Sequence, residues 1–340
     1  MIPIKINSNI IKLYQEHTDH VFDELDKNKK FENRINNDLK KLLKYHNVFG
    51  TSHKNKDLSL TIRDIIKMNP EEMKDLCLGM HKYFTTKYKD RNEKHYKYLL
   101  KFSKSYYSKF STKGKYIGKP SNGYCSQKWI KRIGVNTCPY CNLSYTKNII
   151  TYNKTKHGRK KKNENEHYKT FQIDHFHPKS RFPFLAVSFY NLIPSCSYCN
   201  HRKKEKILPW NPFQHISYDT DLRTTLFPII KSYDPKKSFS TQTTIKIASL
   251  DIDLKVNIEK LYIEELYQQH DDYVAELLEM ARPYPRAHIN TLKGLLQQHG
   301  YNKYDIYRMI YRNYSNQDNY HKRPMAKLTK DILKSLGIKV

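Results

Sequence analysis

The sequence predicts an α+β protein, mostly helical, with a small β-containing core in its middle third. Three observations carry this. Apolar residues recur at helical spacing through the first and last thirds of the 340-residue chain. Two short strand-like runs, "YKTFQI" and "FLAVSF", fall in the middle. Two C-x2-C pairs bracket those runs.

In chain order, Ile10, Tyr14, Val21 and Leu25 make one helical stripe, and Ile35, Leu39, Leu42 and Leu43 a second. In "NPEEMKDLCLGM" Asn69 caps, Pro70 takes the first helical position and Glu72 completes a capping box. Met73, Leu76, Cys77 and Met80 then form a buried stripe, which makes Cys77 a core thiol. Residues 87–119 carry eleven Lys/Arg and six Tyr against two acids. Such a run serves equally as a nucleic-acid groove, through phosphate contacts and base stacking, or as a solvated helix whose tyrosines pack inward. Gly118, Pro120 and Gly123 punctuate the exit. "TYNKTKHGRKKKNENEHY" is a polar, basic insertion that reads as a loop able to touch a phosphate backbone. Beyond Pro209, "TTIKIAS" is a strand, and "IEKLYIEELYQQHDDYVAELLEMAR" and "INTLKGLLQQHG" are helical, the last stopping at Gly300. Three parts result: a basic helical N-terminal domain at 1–125, a cysteine-bearing core at 126–215, and an α-rich C-terminal domain with a small β element at 216–340.

Net charge is +29, from 62 basic and 33 acidic residues. A/T-rich coding enriches Lys, Asn, Ile and Tyr together, but it also supplies Glu, so it does not explain the sign. A polyanionic partner, nucleic acid, does. The excess peaks at 126–215, with 17 basic against 4 acidic residues. The final third holds 19 against 15, which suits packing or partner contact better than phosphate binding. The most apolar stretch, "FPFLAVSFYNLIP", is too short for a membrane helix of roughly 20 residues. The N-terminus lacks a charged-then-apolar leader, so the expected location is cytoplasmic, where paired cysteines are better metal ligands than disulfides. No G-x4-G-K-[ST] nucleotide loop occurs.

Cys138 with Cys141, and Cys196 with Cys199, supply the four soft thiolates that tetrahedral Zn²⁺ prefers. A redox C-x2-C is the competing reading, and duplication of the motif disfavours it. So charged a segment has little apolar surface, and a structural zinc can add on the order of 10 kcal/mol of folding free energy. Cys125 stands outside both pairs as a spare thiol.

Between the pairs lies "IDHFHPKS", residues 173–180. On a strand, His175 and His177 share one face and Asp174 and Phe176 the other, and Pro178 ends the ladder. Asn191 falls near the end of the second β run, and Asn200 on the first turn of a helix opened by the second knuckle. The order C-x2-C, Asp-His, Asn, C-x2-C-Asn, with basic residues trailing, resembles the zinc-stapled HNH endonucleases, the ββα-metal or His-Me finger family. The resemblance covers about residues 135–206. More loosely, "DHFHPKS…FPFL…NLIPSCSYCNHRKKEK" is similar to HNH components of anti-phage defence systems of the Septu and retron-associated kind, often paired with a separate ATPase.

The resemblance implies a small ββα-metal core and a nuclease. His175 is then the general base toward water, Asp174 and Asn200 ligate a catalytic divalent cation such as Mg²⁺ through oxygen, and Asn191 holds the base-bearing segment. Neutral imidazole is the form a general base needs, and two oxygen ligands leave room for water and phosphate on Mg²⁺. Lys179, Arg202 and Lys203 are expected to clamp phosphates. His177 reads as a supporting or surface histidine, and His157, His167 and His201 as solvated. Asn142 repeats the post-knuckle position of Asn200, and either suits a turn. DNA is the expected substrate. Structured RNA such as tRNA, or an inactive zinc-stapled nucleic-acid-binding module, are the alternatives. An ATPase or a second copy of the chain is the expected protein partner.

Overall fold

The computed structural model describes residues 1–46, 60–87, 97–111, 124–151, 166–213, 223–232, 234, 242–281 and 286–338. Residues 152–165 of the basic insertion and the boundary residues Gly118, Pro120 and Gly123 lie outside them, while the ends of the insertion, Thr151 and Glu166–Tyr168, are strand rather than the expected loop. The chain divides into two compact units. One comprises Met1–Ile4, Val135–Tyr145 and Ser217–Val340, the other Lys5–Gly134 and Thr146–Ile216. The first knuckle, read from sequence with 126–215, thus groups with the C-terminal residues.

The Lys5–Gly134 unit is built on α1 (Ser8–Asp26), α2 (Lys29–His46), α3 (Ile62–Lys67), α4 (Pro70–Lys87), α5 (Lys97–Ser111) and α6 (Ser126–Ile133). The predicted stripes form its core, with Ile10, Val21, Leu25, Ile35 and Leu39 all buried. Asn7 caps α1 by accepting from the Ile10 amide. The box on α4 forms as expected. Asn69 Oδ1 accepts from the Glu71 and Glu72 amides at 2.9 and 3.0 Å, and Glu72 accepts from the Asn69 amide at 2.8 Å. Cys77 is buried and its pKa rises well above the ordinary thiol value for that reason.

Two antiparallel hairpins complete this unit: β1 (Asn148–Thr151) with β2 (Glu166–Lys169), and β3 (Gln172–His175) with β4 (Leu192–Ser195). Helix α7 (Ser197–Lys203) follows β4 directly, giving a β-β-α succession. The expected strand at "FLAVSF" is absent. Pro183–Leu185 and Phe189–Asn191 are single 3₁₀ turns, and the strand starts one residue later at Leu192. The reason is burial on every side: Phe184 through Phe189 are all inaccessible, so the run has no solvent face to impose a period of two, and apolarity alone does not distinguish strand from turn. Pro183 starts the first turn, and Leu185 and Ala186 donate back to Phe182 and Pro183.

In the other unit β5 (Thr224–Ser232) and β6 (Gln242–Ser249) pair antiparallel, with β6 covering the predicted "TTIKIAS". The long helical pattern that follows is broken into α8 (Ile252–Leu261), α9 (Ile263–Tyr267) and α10 (Asp271–Ala281). Tyr262, left-handed at φ 55°, makes the first break, and a 3₁₀ turn at Gln268–His270 the second. Then come α11 (Arg286–Gln298), α12 (Lys303–Tyr311) and α13 (Ala326–Ser335), with Gly300 at φ 81° past the end of α11 as its spacing predicted. The chain is α+β and mostly helical. Among the described residues, no helix is long and apolar enough to cross a membrane.

Candidate active site and metal centre

The β3–β4 hairpin sets Asp174 opposite Ile193 and His175 opposite Leu192. Both acidic and imidazole side chains are buried, at 3% and 8% exposure. Asn191, also buried, ties the end of the hairpin together. Its Oδ1 accepts from the His177 amide at 2.7 Å, while its Nδ2 donates to the carbonyls of His177 at 3.2 Å and Leu185 at 2.9 Å. The amide is thus spent on backbone, fixing the strand end against the turn that carries Ala186.

That turn fixes the tautomer of His175. Its Nε2 lies 3.0 Å from the Ala186 carbonyl oxygen. A carbonyl only accepts, so Nε2 carries the proton and Nδ1 the lone pair. Burial, with Lys179 and Lys203 adding to it against the Ala186 bond, pushes the pKa down to about 3, so the ring is neutral at cellular pH. Tyr107 of α5 meets the ring edge-on at 4.5 Å between centroids, and Lys179 places its ammonium 4.2 Å from the Tyr107 ring centre. A cavity of roughly 580 Å³ opens here, lined among others by Tyr107, Gln172, Asp174, His175, Lys179 and Asn200. Asn200, on α7, donates through Nδ2 to Gln172 Oε1 at 2.5 Å, which leaves its own Oδ1 as the ligand-capable end. A carboxylate and an amide oxygen beside one neutral imidazole are a donor set that suits a hard divalent cation.

Lys203 does not meet the expectation of a phosphate clamp. Its side chain is inaccessible, and its ammonium donates to Asp174 Oδ1 at 3.2 Å and to the His175 carbonyl at 2.6 Å. Burial lowers its pKa, with Asp174 opposing. The spacing from Cys199 places it one turn further along α7, on the face that turns inward. Arg202 and Lys179 are both exposed, but only Lys179 lines the cavity. His177 is no surface residue. It is 3% exposed and packs edge-on against Phe176 and Phe182. His201 is exposed on α7 and bonds the Ser197 carbonyl at 2.8 Å; His157 lies outside the described residues.

Several cavity residues carried no signal of their own in the sequence. Tyr107 sits inside the basic, tyrosine-rich run, where its neighbour Tyr106 packs into the core. Gln172 stands two positions before Asp174, so strand alternation puts both on one face. Lys204 lines the cavity in a strained conformation, φ 45° and ψ −116°, of a kind that costs about 1–3 kcal/mol.

The sulfurs of Cys138, Cys141, Cys196 and Cys199 are buried and lie within 4.8 Å of one another. Four sulfurs at 2.3 Å from a tetrahedral Zn²⁺ stand about 3.8 Å apart, so the set fits that ion. Backbone amides already face two sulfurs as thiolates require: Leu143 to Cys141 and Cys199 to Cys196, each at 3.4 Å. Cys125 is buried at the start of α6, outside the cluster. Asn142 and Asn200, equivalent by motif, differ in use. Asn142 is buried and left-handed at φ 54°, with its Nδ2 donating to Thr137 Oγ1 and the carbonyls of Tyr320 and Arg323.

Residues 156–206 match the family model for HNH endonucleases. Comparison with curated proteins and with solved structures returned no match. The matched segment, which is similar to the HNH endonucleases, contains Asp174, His175, Asn191, Asn200 and the second cysteine pair.

Proposed function

We propose that the protein is a metal-dependent nuclease that hydrolyses phosphodiester bonds at the Asp174–His175 cavity, with DNA as its substrate. One observation carries the reading: the Ala186 carbonyl holds the proton of His175 on Nε2, leaving the Nδ1 lone pair as a base in a cavity that Asp174 and Asn200 also line. His175 takes the proton of the attacking water at Nδ1. Asn191 acts through the backbone, keeping the strand end and the Ala186 turn in register. Asp174 and Asn200 would hold the divalent cation, Mg²⁺ being the expected one, which when bound stabilises charge on the phosphate and the departing oxygen. Lys179 meets a phosphate oxygen from the cavity wall and Arg202 from the exposed face of α7. A phosphate beside Lys179 offsets the cation that depresses His175, so the imidazole gains basicity as substrate arrives.

DNA is favoured by analogy with the family, and a role as an anti-phage effector, with an ATPase or a second copy as partner, by the looser resemblance of residues 174–206. The test is cleavage of plasmid DNA and of structured RNA side by side with Mg²⁺, by the wild type and by His175→Ala. Wild type is expected to cut DNA, with the variant slower by about 10²-fold or more. Equal cutting by both sinks the assignment. RNA cut in place of DNA moves the substrate, and silence from both points to the binding-module alternative.

A further inference from the structure

The C-terminal unit gathers cations on a single tyrosine. Arg308 of α12, and Lys322 and Arg323 ahead of α13, place their charged groups 5.6, 5.6 and 5.9 Å from the centre of the Tyr314 ring. The ring is fixed from below, packed on the buried cluster of Ile2, Tyr320 and Ala326. Arg312 adjoins them in a left-handed conformation, its carbonyl accepting from the Arg323 guanidinium. Arg312 and Arg323 also line a groove of roughly 400 Å³ with Tyr145, which is 43% exposed.

A cation over a ring face is attracted to it, yet three like charges around one ring repel one another. Among the described residues, none of the four basic side chains makes an ion pair with a carboxylate. Asp305 is spent capping α12, and Glu276, the acid of the groove lining, is exposed and unpaired with either arginine. A ligand that brings several negative charges relieves the repulsion. Guanidinium forks, an ammonium and an exposed aromatic ring match a chain of phosphates with stackable bases, and the net charge of +29 argues for the same partner. The near-neutral count over residues 216–340 concealed this, because it averages the patch with an acid-rich stretch at Glu259, Glu264, Glu265, Asp271 and Asp272.

We propose that Arg308, Lys322 and Arg323, gathered on Tyr314, form a second nucleic-acid contact that grips backbone phosphates and shares no residue with the Asp174–His175 cavity. From the nuclease reading it takes only the expectation that nucleic acid is the ligand. The test is fluorescence anisotropy with a labelled DNA duplex and an RNA of matched length, at several salt concentrations, on full-length His175→Ala protein with and without R308Q/K322Q/R323Q. Neutralising three phosphate contacts is expected to weaken binding at least roughly tenfold and to reduce the log–log salt slope on duplex DNA by about 2–3. R308Q/K322Q, which leaves the bond from Arg323 to Arg312 in place, is expected to give about two-thirds of that slope change. R308K/R323K, keeping the charges but not the guanidinium forks, is expected to keep the parent's salt slope. Loss on DNA alone or on RNA alone names the source of the phosphates. An unchanged affinity and slope in the triple variant overturns the contact, as does a parent that binds neither probe. A wild type that cuts nothing while the triple variant loses binding brings down the nuclease reading and leaves this contact standing.

Discussion

Lys203 brings a positive charge to a carboxylate where solvent does not reach, at 0% exposure against 3% for Asp174. Its ammonium holds one oxygen of the residue expected to ligate a cation, and simultaneously the carbonyl of the residue expected to act as base. Removing one partner of a buried pair leaves the other uncompensated, at a cost of about 3–5 kcal/mol. Lys203→Met is therefore expected to lose that much stability in urea titration, and to recover part of it on adding Mg²⁺, which binds the folded state and replaces the missing charge. A variant as stable as the wild type and indifferent to Mg²⁺ contradicts this account. From sequence Lys203 was indistinguishable from Arg202 and Lys204, three basic residues in a row; only the phase of α7 selects which one turns inward.

At the scale of elements, α1 is coupled to the segment that follows the Ala186 turn. His17, fully buried, lies with Nε2 2.7 Å from the Val187 carbonyl and Nδ1 3.3 Å from the Tyr124 hydroxyl. The carbonyl takes the ring proton, and the tyrosine donates to the other nitrogen. Burial pushes the pKa of His17 down to about 4, with the Val187 bond opposing. The unfolded chain binds a proton here below about pH 6.5 while the folded chain does not, so the contribution of His17 is complete above that pH and fades as pH falls to about 4. Between pH 7 and 4, the stability advantage of wild type over His17→Gln is expected to shrink by about 3 kcal/mol in denaturant titrations. An advantage that stays constant with pH rules the coupling out. Elements with a face toward water were legible in the sequence, as α1, α2, α4 and β6 show. The turns at Pro183–Leu185 and Phe189–Asn191 were not, because a segment buried all round loses the contrast that a period needs. Tyr107 was hidden for a related reason: its α5 face looks onto a cavity made by residues more than sixty positions away.

Across the molecule, the four cysteine sulfurs are expected to hold one zinc per chain, countable by atomic absorption. Such an ion adds on the order of 10 kcal/mol of folding free energy, so stripping it with a strong chelator is expected to lower the melting temperature sharply, and adding Zn²⁺ to restore it. A chelated protein that melts like the untreated one refutes the structural role. The cysteine pairs and the Asp-His dipeptide were readable because metal and acid–base chemistry demand particular side chains at short spacings. The organisation into units was not readable, since composition shifts at 125 and 215 do not record which distant backbone a knuckle bonds.

That last point bears on how the molecule can be taken apart. Asn142 reaches the carbonyls of Tyr320 and Arg323 and the amide of Lys327, its own carbonyl receives the Met325 amide, and Tyr267 donates to the Cys141 carbonyl at 2.6 Å. A gene fragment trimmed to residues 156–206 would lose these ties together with Cys138 and Cys141, half the sulfur ligands. The shortest self-sufficient version of the nuclease segment therefore has to extend through the helix at Ala326–Ser335, far beyond the last residue that sequence similarity marks.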